Sequence, residues 1–153
     1  MTVGPESDTA HLTGQTEDHL CAVADAEHLG AHVHRDVVAP FLQLKDDAAQ
    51  AGFDLRILSG FRGFDRQRSI WNRKAGGELA VLDSGAAPLD IGRLSEEELV
   101  YAILRWSALP GASRHHWGTD IDVYDAAAQG GGVHIRVGYI SADLVDDKVY
   151  ASI

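Results

Sequence analysis

Two short stretches, "FDLRILSG" (53–60) and "GTDIDVYD" (118–125), alternate apolar and polar residues. Successive side chains of a strand point to opposite faces, so each stretch reads as a half-buried strand. Phe53, Leu55 and Ile57 share one face of the first, and Ile121 and Val123 one face of the second. Asp120, Asp122 and Tyr124 then share the opposite face. A third candidate, "VHIRVGYI" (133–140), sets Val133, Ile135, Val137 and Tyr139 on one side. The segments around these strands follow a helical period. Asp36 is placed to cap "DVVAPFLQLKDDAAQAG", with Val37, Phe41, Leu44 and Ala48 at helical spacing and Gly52 as the stop. Pro40 falls in its first turn, where a missing N–H costs little. "GFDRQRSIWNRKAGG" reads as a helix ended by Gly76 and Gly77. "SEEELVYAILRWSAL" opens with a Ser95–Glu98 capping box and carries a stripe of Leu99, Ile103 and Trp106, widened by Val100 and Leu104. Glu17–Leu29 has a weaker helical pattern, and "LDSGAAPLDIGRL" is a loop. No strand–helix alternation repeats. The expected class is therefore α+β, a single domain with an antiparallel sheet flanked by helices, not a doubly wound sheet.

Composition narrows the function. The chain has 153 residues, 45% of them apolar, enough for one hydrophobic core. A net charge of −10 with 13 Lys and Arg repels phosphate backbones and anionic lipid, which argues against nucleic acid and membrane as partners. Apolar runs fall far short of the roughly 20 residues a membrane-spanning helix needs. The first residues, "MTVGPESDTAHLTGQTEDHL", have no basic start or apolar core, so the expected location is cytoplasmic. Cys21 is the one cysteine, which leaves His, Asp and Glu to hold any metal.

The densest group of such residues is "SRHHWGTDID", Ser113–Asp122. Gly118 permits a sharp turn between a loop and the strand after it. That turn can bring the side chains of His115 and Asp122 toward one cation at the roughly 2 Å bond length zinc takes. Asp120, two residues before Asp122, offers a further carboxylate on the same face. A polar, solvated turn with Trp117 packed on the core would have the same composition, and the spacing alone leaves both readings open.

The decapeptide resembles the S-x-H-x-x-G-x-A-x-D signature of the zinc D-alanyl-D-alanine carboxypeptidases and dipeptidases of the VanY/VanX type. Ser113, His115, Gly118 and Asp122 fill its fixed positions, and Asp120 replaces the alanine. "SGFRGFDRQRSIWNRKAGG" (59–77) is similar to the family's strand–Arg–helix segment, in the same order along the chain. The resemblance implies zinc as cofactor, with His115 and Asp122 as two of its ligands, and Arg62 as the group that stabilises charge on the scissile carbonyl. It also implies substrate contacts from Ser113 and Gln67, and a peptide or dipeptide ending in D-alanyl-D-alanine as the partner. Family members carry a later E-x-x-[WH]-H segment that supplies the general base and third ligand. After Asp122 this sequence has no glutamate and one histidine, His134, a candidate for the third ligand position. His32 and His34 of "HVH", which share a face if extended, could also chelate, though they read more simply as the lead into the helix at Asp36. The expected organisation is a flexible segment over 1–16 and a carboxypeptidase-like domain over 17–153 lacking that late segment. Alternative readings are a non-catalytic module binding cell-wall peptide or metal, and a peptidoglycan endopeptidase of endolysin type. Oligomeric state is not legible.

Overall fold

In a computed structural model, residues 5–128 are described. In chain order they form α1 (Pro5–Leu12), α2 (Val23–Leu29), α3 (Val38–Gln50), β1 (Leu55–Ser59), α4 (Phe64–Ala75), α5 (Glu96–Leu104) and β2 (Asp122–Asp125). Short 3-10 turns lie at Arg35–Val37, Ile91–Arg93 and Arg114–Trp117. Helices with an antiparallel sheet make this an α+β chain, as the irregular patterning predicts. The third candidate strand, 133–140, lies outside the described residues, as does His134. Among the described residues no helix is long and apolar enough to cross a membrane.

The chain divides into two units, one of residues 16–61 with 117–128 and one of 5–15 with 62–116. The first holds the sheet. Ile57 and Val123 are buried partners across β1 and β2, with Leu55 opposite Asp125 and Arg56 opposite Tyr124. One extra residue, the exposed Leu58, then shifts the register so that Ser59 faces Asp122. Such a bulge bends its strand and re-aims the side chains beside it. α3 packs on β1, and Phe41, Val37, Val33, Leu29, Ala26 and Cys21 join Ile57, Ile121 and Val123 in one apolar cluster. The inward set of each strand matches the alternation, except that Phe53 lies before β1 and is half exposed.

Two helix expectations shift for reasons of pairing. The 17–29 pattern forms a helix only from Val23, because Leu20 bridges to His34 and the Cys21 N–H donates to the Val33 carbonyl at 2.9 Å. At α3 the cap is not Asp36. The His34 ring accepts the Asp36 N–H at 3.2 Å, opening a 3-10 turn that runs into the helix.

In the second unit α4 packs against α5. α5 opens with the capping box expected: Ser95 N–H donates to the Glu98 carboxylate at 2.8 Å, and Glu98 N–H to Ser95 Oγ at 3.3 Å. Ile103 is fully buried and Leu99 half-buried, but Trp106 falls beyond the helix end and is 41% exposed. Its indole N–H donates to the Asp83 carbonyl at 3.0 Å, which anchors the 82–88 loop instead of extending the core. The stretch expected to be loose at the start of the chain contains α1, which ends at Gly14 in the left-handed region (φ 73°). There the Gly14 N–H reaches the His11 carbonyl and the Gln15 N–H the Ala10 carbonyl, a Schellman ending.

Candidate active site

Arg62 follows β1 and Gly60 along the chain and precedes α4. Its N–H donates to the His115 carbonyl at 2.9 Å. Its guanidinium Nη1 donates to Gln67 Oε1 at 3.1 Å, one turn into α4. Gln67 is fully buried, and its amide Nε2 donates to the Ala108 carbonyl at 2.6 Å. Both ends of the Gln67 amide are therefore engaged within the protein. A buried amide with both partners present is worth keeping, because removing either leaves a desolvated group behind. The resemblance implies a substrate contact at Gln67; in the structure its side chain is fully buried and bonded to Arg62.

His115 sits on the Arg114–Trp117 turn and is half-buried. Ser113, just before it, is 5% exposed, and its carbonyl accepts the His116 N–H at 3.1 Å. The neighbour His116 points the other way, into the interior, with no exposed surface. Doublets of histidine offer two candidate ligands to a sequence reading, and the turn separates them by exposure.

Asp122 belongs to the sheet unit. It is the first residue of β2, half-buried, and opposite Ser59 at the bulge. Asp120 is half-buried two residues earlier, with the fully buried Ile121 between them. The turn feeding this strand is built on Gly118 (φ 70°), whose carbonyl accepts the His34 N–H at 2.7 Å. A Cβ there would lie 2.7 Å from that same nitrogen, so the close approach excludes any side chain. At the other end of β2 the Asp125 carboxylate accepts the Asp54 and Ala127 N–H groups, each at 2.9 Å. Beside β1 the Asp54 carboxyl is held below its usual range by its hydrogen bonds with Arg56, the nearer at 2.6 Å.

The structure thus brings Arg62, Gln67 and the His115 backbone together in one unit and sets Asp122 and Asp120 in the other. Residues 30–143 match the model of the VanY family, D-alanyl-D-alanine carboxypeptidase.

The chain belongs to the VanY family. The matched stretch spans Arg62, Gln67, Ser113, His115, Asp120, Asp122 and His134. An uncharacterised protein of Haemophilus influenzae is 39% identical over 98 residues, which cover 64% of this chain and 67% of that protein. Among solved structures, a mutant of a vancomycin-resistance D,D-pentapeptidase VanY in complex with Zn(II) is 25% identical, with a TM-score of 0.50 over 78% of this chain. VanYB in complex with D-alanine-D-alanine is 22% identical, with a TM-score of 0.53 over 77% of this chain. That second likeness speaks for the VanY fold. This chain spans 56% and 57% of the lengths of those two solved proteins.

Proposed function

We propose that this chain is a zinc-dependent D-alanyl-D-alanine carboxypeptidase acting on peptidoglycan precursor peptides. The observation that carries the reading is the fixed Arg62, tied by its guanidinium to buried Gln67 and by its N–H to His115, inside a stretch matching the VanY family. The donor set suits the metal: an imidazole and a carboxylate are both zinc ligands, and His115 and Asp122 are each half-buried, so neither is sealed in the core. In this reading His115 and Asp122 hold the zinc, with His134 as the third protein ligand. Zinc, when bound, supplies an acidified water and polarises the scissile carbonyl.

The chain's own residues do the rest. As water adds to the carbonyl carbon, negative charge grows on the carbonyl oxygen. The Arg62 guanidinium lies against that oxygen and stabilises the charge, an effect of about 3 kcal/mol for a preorganised donor. Gln67 keeps the guanidinium oriented, so no reorganisation is needed when the charge appears. The C–N bond then breaks, the acyl carbon keeps the hydroxyl, and terminal D-alanine leaves with the proton on its amine. Ser113 borders the peptide, and Asp120 lies beside the metal ligands. The working compartment in this reading is the cytoplasm, which fractionation of cells expressing the full gene tests.

Zinc titration into metal-free protein tests the ligand assignment. One equivalent is expected to bind tightly, with affinity lost in His115→Ala and in Asp122→Ala. Equal affinity in the parent and both variants would contradict it, and would favour a module that holds peptide without this metal centre.

A further inference from the structure

His116 has no exposed surface, yet both of its ring nitrogens have backbone partners in its own unit. The Gly111 N–H donates to Nε2 at 3.0 Å, so that nitrogen is the acceptor and the proton sits on Nδ1. Nδ1–H in turn donates to the Arg62 carbonyl at 2.5 Å. Gly14 packs close against the ring: a Cβ on it would come within 2.5 Å of Nδ1 and 2.8 Å of Cγ. The Gly14 carbonyl itself accepts the Phe64 N–H at 2.8 Å, at the start of α4.

These bonds converge on one residue. The Arg62 N–H is taken by the His115 carbonyl, and the Arg62 carbonyl by the ring of the next residue, His116. Adjacent residues of one turn thus hold both backbone polar groups of Arg62, while Gln67 holds its guanidinium. A long arginine side chain keeps a fixed aim only if its base and its tip are both pinned, since its rotamer freedom is among the largest of any residue. A phenyl ring would fill the same space and pin nothing. We infer that His116 is a positioning residue that holds Arg62 in register with His115. The inference rests on the carboxypeptidase reading and names what sets the geometry of that site.

Three substitutions separate the bonds. His116→Phe keeps the ring and removes both; His116→Asn keeps a donor near the Nδ1 position; His116→Gln keeps an acceptor near the Nε2 position. In the zinc-loaded protein His116→Phe is expected to lower kcat for D-alanine release about 10²-fold, the scale a misplacement of about 1 Å produces. KM should change little. His116→Asn should recover most of that loss and His116→Gln little of it. A ring that only filled space would order the variants by thermal stability and leave kcat per folded molecule unchanged, which overturns the inference. Should His116→Phe fail to fold, equal kcat in the Asn and Gln variants overturns it. Nitrogen-15 spectra of metal-free protein give a readout apart from turnover. They should show the His116 proton on Nδ1 and a slowly exchanging Arg62 Nη1–H, the one bonded to Gln67, that survives in His116→Asn and is lost in His116→Gln. If the parent releases no D-alanine but the spectra behave so, the carboxypeptidase reading fails and the positioning role stands. If the parent is active and the Arg62 signal is the same in both variants, the positioning role fails alone.

Discussion

The two units support their candidate residues by different means. Around Asp122 the support is apolar: Ile121, Val123, Ile57, Val33, Val37 and Phe41 are buried together, and the aspartate sits at the edge of that cluster beside a bulge. Around Arg62 the support is polar: the buried residues Gln67 and His116 act through hydrogen bonds at both ends. Apolar packing is non-directional and tolerates swaps that conserve volume. A buried hydrogen-bond network is directional, and each missing partner leaves a desolvated group. Core changes near Asp122 should therefore be felt first as lost stability, and changes near Arg62 first as lost catalysis.

The most damaging change to the apolar side is Phe41→Ala. Truncating a fully buried phenylalanine costs about 3–5 kcal/mol, read as a lower urea midpoint. A loss below about 1 kcal/mol would show that this cluster does not carry the sheet. On the polar side, Gln67→Leu removes the amide that donates to the Ala108 carbonyl and accepts from the Arg62 guanidinium. Its expected cost is about 1–3 kcal/mol of stability, together with about 10²-fold in D-alanine release. Activity that fell only in proportion to the folded fraction would erase the contrast between the two units. Gly118→Ala should cost about 1–2 kcal/mol from its left-handed backbone alone, and more from the contact with the His34 nitrogen. Thermal melts of that variant with and without zinc report whether the turn before Asp122 serves the metal as well as the fold.

The smallest effect belongs to the α5 cap, remote in kind from either arrangement. Ser95→Ala should cost about 1 kcal/mol. The Ser95 backbone N–H, and after it the Ser95 hydroxyl, hold the Glu98 carboxyl below its ordinary value. A depressed native value means this contribution is present above the unfolded carboxylate range and is lost as pH falls through the lowered one. Glu98→Gln should flatten that part of the stability–pH curve and leave the neutral-pH end of D-alanine release as it was. A curve of unchanged slope would place the acid sensitivity elsewhere.

Local signals were legible in the sequence and long-range ones were not. The alternation in "RILS" and "DVYD", the Ser95–Glu98 spacing and the glycines after α4 act within a few residues, and each predicted its element. Leu20 and Cys21 continue a helical pattern, yet pairing with His34 and Val33 draws them out of the helix. Trp106 fits the α5 stripe by spacing, but the helix ends at Leu104 and the indole finds the Asp83 carbonyl. At the site, the resemblance picked out Arg62, His115 and Asp122 by register. It had no means of seeing that Gln67 faces inward or that His116 bonds across to Arg62, since those partners come from distant parts of the chain. The doublet "HH" was the one visible hint: two histidines on a short turn cannot both face the same way.

A carboxypeptidase must release free D-alanine, and that release can be followed directly. Purified full chain, loaded with zinc, is given a peptide ending in D-alanyl-D-alanine, and free D-alanine is followed over many turnovers. Sustained release is expected that needs zinc and disappears in Asp122→Ala and in Arg62→Ala. Release that persists unchanged in both variants, or no release from a folded, zinc-bound parent, would contradict it.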